Sequence, residues 1–305
     1  MSQPTKTHSP TIGVFDSGFG GLTVLRSLLP LIPGAHYIYL GDTARLPYGS
    51  KSHETIARYA VSSAKFLHEQ GAELLVIACN TATAMALPEI QQSLPIPVIG
   101  VVQPGAHAAL ATGKHLDPSQ DRVPHLRDGL IVAKVGEAPP SNAAHHVLVL
   151  ATSATVQSHA YTHALNALGL EASEKACPLL VPLVEEGWTN HPVTDEVLKI
   201  YLTEALTSAP AAQTLLLGCT HYPLLEPAIR RTLAAIGHPL TIIDSADATA
   251  RATAALVAQH FPSLDTTRKP TYIFYATDSI EKFQHLGSSF LGQPVAEVNL
   301  IDLGG

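Results

Sequence analysis

Short apolar runs that end in a small residue and a polar cluster recur along this chain, with helical spacing of apolar residues between them. A run of this kind reads as a strand buried on both faces that hands over to a loop at its carboxyl end. The first covers residues 11–15 and leads through Asp16-Ser17-Gly18-Phe19-Gly20-Gly21 into an apolar helix over 22–31. Residues 36–40 form the second, followed by a long loop, 41–50. A helix is predicted from about Ser52 to Gln70, since Ile56, Tyr59, Ala60, Ala64 and Leu67 share one face and Gly71 closes it. Strand and helix keep alternating through residues 98–101, and the rhythm resumes at 147–152, 214–218, 240–244 and 272–276. Such alternation predicts an α/β fold with mainly parallel sheets.

Two of these runs are near-copies. Leu74-Leu75-Val76-Ile77-Ala78 ends in Cys79-Asn80-Thr81, and Thr214-Leu215-Leu216-Leu217-Gly218 ends in Cys219-Thr220-His221. Both continue with Leu, Pro and Ile, in Leu87-Pro88-Glu89-Ile90 and Leu225-Glu226-Pro227-Ala228-Ile229. The strand Val147-Leu148-Val149-Leu150-Ala151-Thr152 with Ser153-Ala154-Thr155-Val156 likewise echoes the first strand and its loop. Residues just past the carboxyl end of a strand face the ligand crevice in open α/β sheets. Two similar halves, each presenting one Cys, therefore suggest two matching groups around one substrate.

Residues 113–146 interrupt the pattern with Pro, Asp, Ser, Asn and Gly, and only Leu130-Ile131-Val132 has strand character. His115, His125, His145 and His146 lack a metal-ligand spacing, so the segment reads as a solvated surface insertion. The Gly-rich turn 16–21 is not a dinucleotide fingerprint.

With 305 residues, 46% hydrophobic and 14% charged, the chain fits a compact two-domain enzyme. A formal charge of −7 without a basic run argues against nucleic acid. Three scattered cysteines point to a reducing compartment, and the polar residues 1–10 lack a signal-peptide core, so a cytoplasmic location is expected. No apolar run is long enough for a membrane span.

A thiol can act as nucleophile, metal ligand, redox partner or proton carrier. Cys219 and His221 are too close in sequence for a standard zinc site, and no C-x-x-C occurs. A cysteine-protease arrangement leaves one Cys idle. Proton transfer uses the pair: a thiolate on one face of a carbon removes a proton while a thiol on the other face delivers one. An unperturbed Cys titrates near pKa ~8.5 and needs a tuning neighbour. Asp16 and His221 are placed for that role, while Ser17, Asn80, Thr81 and Thr220 offer hydrogen bonds to a substrate carboxylate or ammonium. Cys177, ahead of Pro178 and an apolar run, reads as a buried structural thiol. No lysine lies in a strand-end motif that would present it to pyridoxal phosphate.

Asp16-Ser17-Gly18, Pro47-Tyr48-Gly49, Cys79-Asn80-Thr81, Ala151-Thr152 to Thr155, Val184-Glu185-Glu186-Gly187 and Gly218-Cys219-Thr220-His221-Tyr222-Pro223, in this order, resemble glutamate racemase, from about Thr11 to Asp278. The resemblance implies two pseudosymmetric doubly wound domains, residues 1–102 with 241–305 and residues 103–240, with the active site in the cleft between them. It implies a racemase without cofactor, with Cys79 and Cys219 as bases for D- and L-glutamate respectively and Asp16, Glu185 and His221 assisting. Asp16-Ser17, Pro47-Tyr48-Gly49, Asn80-Thr81, Thr155 and Thr220-His221 are implied to bind glutamate, and D-glutamate to feed peptidoglycan synthesis. A homodimer is compatible with the resemblance. Gln103, where many relatives carry Glu, departs from the pattern. Aspartate racemase is the nearest rival, but its second Cys is usually followed by Thr-Glu rather than Thr-His. A non-catalytic amino-acid-binding protein and a thiol–disulfide protein are the other rivals; simple binding needs no thiol pair.

Overall fold

The computed structural model describes residues 8–114 and 145–304. In the first half, β1 (Thr11–Asp16), β2 (His36–Gly41), β3 (Leu74–Ile77) and β4 (Val98–Gly100) alternate with α1 (Leu22–Leu31), α2 (His53–Glu69) and α3 (Asn80–Ser93). Ser52 caps α2 by accepting from the Thr55 N–H, and Gly71 ends it at φ +96°. After α4 (Val102–Lys114) the described chain resumes in β5 (His146–Ala151), α5 (Ser153–Ser158), α6 (Ala160–Ala167) and β6 (Glu171–Ala176). It continues through α7 (Leu180–Glu185), α8 (Pro192–Ser208), β7 (Ala212–Gly218), α9 (Glu226–Ala235) and β8 (Thr241–Asp244). Finally α10 (Ser245–His260) leads back to β9 (Thr271–Ala276), α11 (Ile280–Leu291) and β10 (Asn299–Leu300) beside the first half.

Two parallel sheets result, ordered β10-β9-β2-β1-β3-β4 and β6-β5-β7-β8. The central strands are apolar on both faces because helices cover both. One apolar cluster runs from Val14, Leu22 and Leu25 through Leu217 and Tyr222 to Ala246 and Ala250, so the halves share a core. Helix α10 packs on both α1 and α4 and so ties them together.

Two expectations need correction. Residues 241–244 were expected with the first unit, yet β8 pairs with β7 from Thr214↔Thr241 to Leu217↔Asp244 and belongs to the second sheet. A strand joins whichever sheet completes its hydrogen bonds, which its own composition does not encode. At the edges of the expected insertion, Gly113 and Lys114 belong to α4 and His146 to β5. His145 and His146 bond different partners, Thr214 at 2.8 Å and Ser173 at 2.9 Å, and so do not converge on a metal. His115, His125 and the 130–132 pattern lie outside the described residues. Among the described residues no helix is long and apolar enough to cross a membrane.

Candidate active site

Both strand–Cys motifs end at one cleft of ≈ 420 Å³. Ser17, Pro47, Tyr48, Gly49, Cys79, Asn80 and Thr81 line it from the first half, and Thr152, Ser153, Glu185, Glu186, Cys219, Thr220 and His221 from the second. Lys282 reaches it from α11. Each Cys is 5% exposed. Both are there for one reason: a buried parallel strand stops, and a residue one or two positions past its end faces the open sheet edge.

The two thiols are equipped differently. Cys79 is the N-cap of α3; its sulfur accepts the Ala82 N–H at 3.4 Å, and its S–H donates to Ser17 Oγ at 3.5 Å. Cys219 Sγ lies 4.0 Å from His221 Nδ1. On the far side of that ring Nε2 meets Glu185 Oε1 at 3.3 Å, and Lys282 Nζ donates to Glu185 Oε2 at 3.2 Å. A chain of polar groups thus runs from the second thiol to the cleft mouth.

Burial dominates the electrostatics. It pushes the Cys79 thiol up to about 11, with help from the negative charge of Asp16, while hydrogen bonds from Ser17 and the Ala82 N–H oppose it. Cys219 is pushed further by burial; the His221 backbone N–H opposes this, and Cys79 and Asp16 add to it. Burial thus favours the protonated form of both thiols. Burial also raises Glu185, but its hydrogen bond and attraction to His221, with Lys282, outweigh that and hold it below its ordinary value. Asp16, 1% exposed, lies beneath the cleft rather than on its wall. Burial raises its carboxyl, partly offset by His221 and by hydrogen bonds from Gly18, Gly21 and Thr220. Its Oδ2 accepts the Gly18 N–H at 2.9 Å, while Oδ1 has no hydrogen-bond partner among the described residues.

The loop carrying Pro47-Tyr48-Gly49 is held from behind. The Tyr48 hydroxyl donates to Asp42 Oδ2 at 2.5 Å, and Asp42 Oδ1 accepts from Thr277 at 3.0 Å and faces Arg45 Nε at 3.3 Å. Tyr48 is 1% exposed, so its hydroxyl anchors the loop. Thr81, Thr152 and Thr155 form a triangle of hydroxyls, 3.0 to 3.2 Å apart, that joins the halves. Thr155 is fully buried, and Thr81 and Thr152 are the two members on the cleft wall. Gln103 is exposed and outside the cleft.

Gly20 marks a close approach. A Cβ there would lie 2.1 Å from Thr220 Oγ1 and 2.7 Å from His221 Nδ1. The lack of a side chain at Gly20 admits the other half of the molecule.

Thr152, Ser153 and Lys282 were not singled out as site residues. Thr152 had a signal, as a polar N-cap directly after a buried strand, equivalent to the position of Cys79. Lys282 had none, since only the return of α11 brings it to Glu185.

A sequence model of the Asp/Glu/Hydantoin racemase family matches residues 12–116 and 132–253. A glutamate racemase of Koribacter versatilis is 47% identical over 97% of this chain and 98% of its own length. One of Geobacter metallireducens is 40% identical over 96% of each. The crystal structure of glutamate racemase from Francisella tularensis in complex with D-glutamate has a TM-score of 0.79 at 32% identity, covering 97% of this chain and 98% of that one. That of Thermus thermophilus with β-chloro-D-alanine gives 0.77 at 36% identity over 98% and 99%.

Proposed function

The chain belongs to the Asp/Glu/hydantoin racemase family, alongside the glutamate racemases, and from that premise we propose that it interconverts L- and D-glutamate by two-base proton transfer without a cofactor. The observation that carries the reading is the convergence of Cys79 and Cys219, from two different sheets, on one cleft.

One cysteine, as thiolate, takes the α-proton, and the pair of C–H electrons passes into the α-carboxylate. The opposite S–H then protonates the same carbon from the other face. The product is the mirror-image amino acid, and the two cysteines have exchanged protonation states. Cys79 serves D-glutamate and Cys219 serves L-glutamate. Burial holds both thiols toward the protonated form, and the ammonium group of the substrate is the opposite charge that favours a thiolate. Asp16 assists near Cys79; His221, held by Glu185, assists Cys219. Ser17, the Tyr48-Gly49 backbone, Asn80, Thr81, Thr152 and Thr220 supply donors for the two carboxylates. The product D-glutamate supplies peptidoglycan synthesis in the cytoplasm. The domains are residues 1–102 with the C-terminal segment, and 103–244.

Cys79→Ser and Cys219→Ser each test this. A serine hydroxyl is a poor base near neutral pH, and loss of a general base costs about 10²–10⁴ in rate. Racemisation should fall accordingly in both. In heavy water Cys79→Ser should still exchange the α-proton of L-glutamate, and Cys219→Ser that of D-glutamate. Near-normal racemisation by either, or exchange of the same enantiomer by both, refutes the two-base scheme. Cys177→Ser, away from the cleft, should racemise normally.

A further inference from the structure

Asn80 lines the cleft directly after Cys79, and among the described residues its side-chain amide has one hydrogen-bonding partner. The Tyr161 hydroxyl, on α6 in the other half, donates to Asn80 Oδ1 at 2.5 Å. Asn80 Nδ2 is shielded from solvent and has no partner among the described residues. A buried amide donor left unpaired is costly, and a substrate carboxylate would relieve it.

Tyr161 is built to hold that bond. It is fully buried, and its ring is wedged between two glycine backbones: a Cβ at Gly218 would meet Cε2 at 3.0 Å, and one at Gly105 would meet Cε1 at 3.4 Å. Gly218 immediately precedes Cys219, so a single ring touches the strand end of one cysteine and the side chain beside the other. Burial pushes the phenol far above its ordinary range, so its proton is always present to donate. An asparagine amide can rotate to exchange its oxygen and nitrogen, and only its neighbours decide which edge faces a ligand.

We infer that Tyr161 is a positioning residue for substrate binding: by engaging Asn80 Oδ1 across the interface between the halves, it commits the Asn80 NH₂ group to the substrate carboxylate. The inference rests on the racemase reading of the cleft. Tyr161 itself touches no substrate, and its effect passes through Asn80.

The test combines Tyr161→Phe, Asn80→Ala and the double variant in the full-length protein, with kcat and KM measured for both glutamate enantiomers. Tyr161→Phe removes one oxygen and keeps the ring, and should raise KM for both enantiomers about five- to tenfold with kcat within about twofold. In the Asn80→Ala background the same change should alter KM less than about twofold. An unchanged KM in Tyr161→Phe, or an equal rise in both backgrounds, overturns the inference, since a purely structural ring would act without Asn80. If wild-type protein racemises neither enantiomer, the proposed function fails by itself, and ¹⁵N NMR of the Asn80 side-chain amide decides the positioning role. Solvent exchange of that amide should then be at least about tenfold faster in Tyr161→Phe than in wild type; equal exchange overturns the inference.

Discussion

Replacing Gly20 with Ala inserts one methyl group where the two halves touch. The new Cβ would lie 2.1 Å from Thr220 Oγ1, 2.8 Å from Thr220 Cβ and 2.7 Å from His221 Nδ1. Turning the Thr220 hydroxyl away does not relieve the clash with its Cβ, so backbone must move. Restoring ordinary contact requires a displacement of roughly 1 Å, directed so as to push Thr220 and His221 away from the first half. Overpacking of this kind costs about 1–3 kcal/mol of stability. The functional effect should be larger, because a misplacement of about 1 Å at a reacting centre costs up to about 10²-fold in rate. His221 already lies 4.0 Å from Cys219, and further separation weakens its hold on that thiol. Polarimetry on both enantiomers, with thermal unfolding of the same samples, measures both effects. Gly49→Ala gives a graded comparison, since its Cβ would meet Thr152 Cβ at 3.0 Å and should need a smaller adjustment. A Gly20→Ala protein with wild-type kcat would refute the argument that this contact sets the cleft geometry.

Asp16→Asn should raise the unfolding temperature at neutral pH while lowering racemisation. The folded carboxyl titrates above its ordinary 3.8, chiefly through burial, so the charged form is penalised in the folded state. Below 3.8 both states are protonated and the penalty vanishes; it grows as pH rises through the folded value, and there the Asn variant should gain on wild type. Unfolding curves across that window that stay parallel would contradict this. Lys282→Ala should move the acid limb of the kcat/KM profile to higher pH. Glu185 is held below its ordinary 4.5 against burial by His221 and Lys282, so its stabilising charge is present above that pH and lost as pH falls through the folded value. Removing Lys282 raises that folded value, and an unmoved acid limb would show that Lys282 does not tune Glu185.

Both cysteine motifs were legible in the sequence because their signal is local: an apolar strand, a small residue, a thiol and a polar cluster occupy adjacent positions. Helix α2 was legible for the same reason, through its face, its Ser52 cap and Gly71. β6 was not, since Glu-Ala-Ser-Glu-Lys-Ala has no apolar run, and as an edge strand it needs none. Thr155 and Thr152 belong to one motif, and only the packing of α5 decides which hydroxyl reaches the cleft. Lys282 and Tyr161 act across the interface between halves that are distant in sequence, a juxtaposition no local pattern carries.

The unequal equipment of the two thiols has a thermodynamic consequence. L- and D-glutamate are mirror images and have the same free energy in water, so their interconversion has an equilibrium constant of one. In a reversible reaction the ratio of forward to reverse kcat/KM must equal that constant. A helix cap with Ser17 on one side, and His221, Glu185 and Lys282 on the other, therefore cannot make the enzyme more efficient in one direction. The asymmetry can surface only as paired changes in kcat and KM that cancel in their quotient. At saturating substrate one enantiomer can turn over faster, at the expense of a proportionally weaker apparent hold on it.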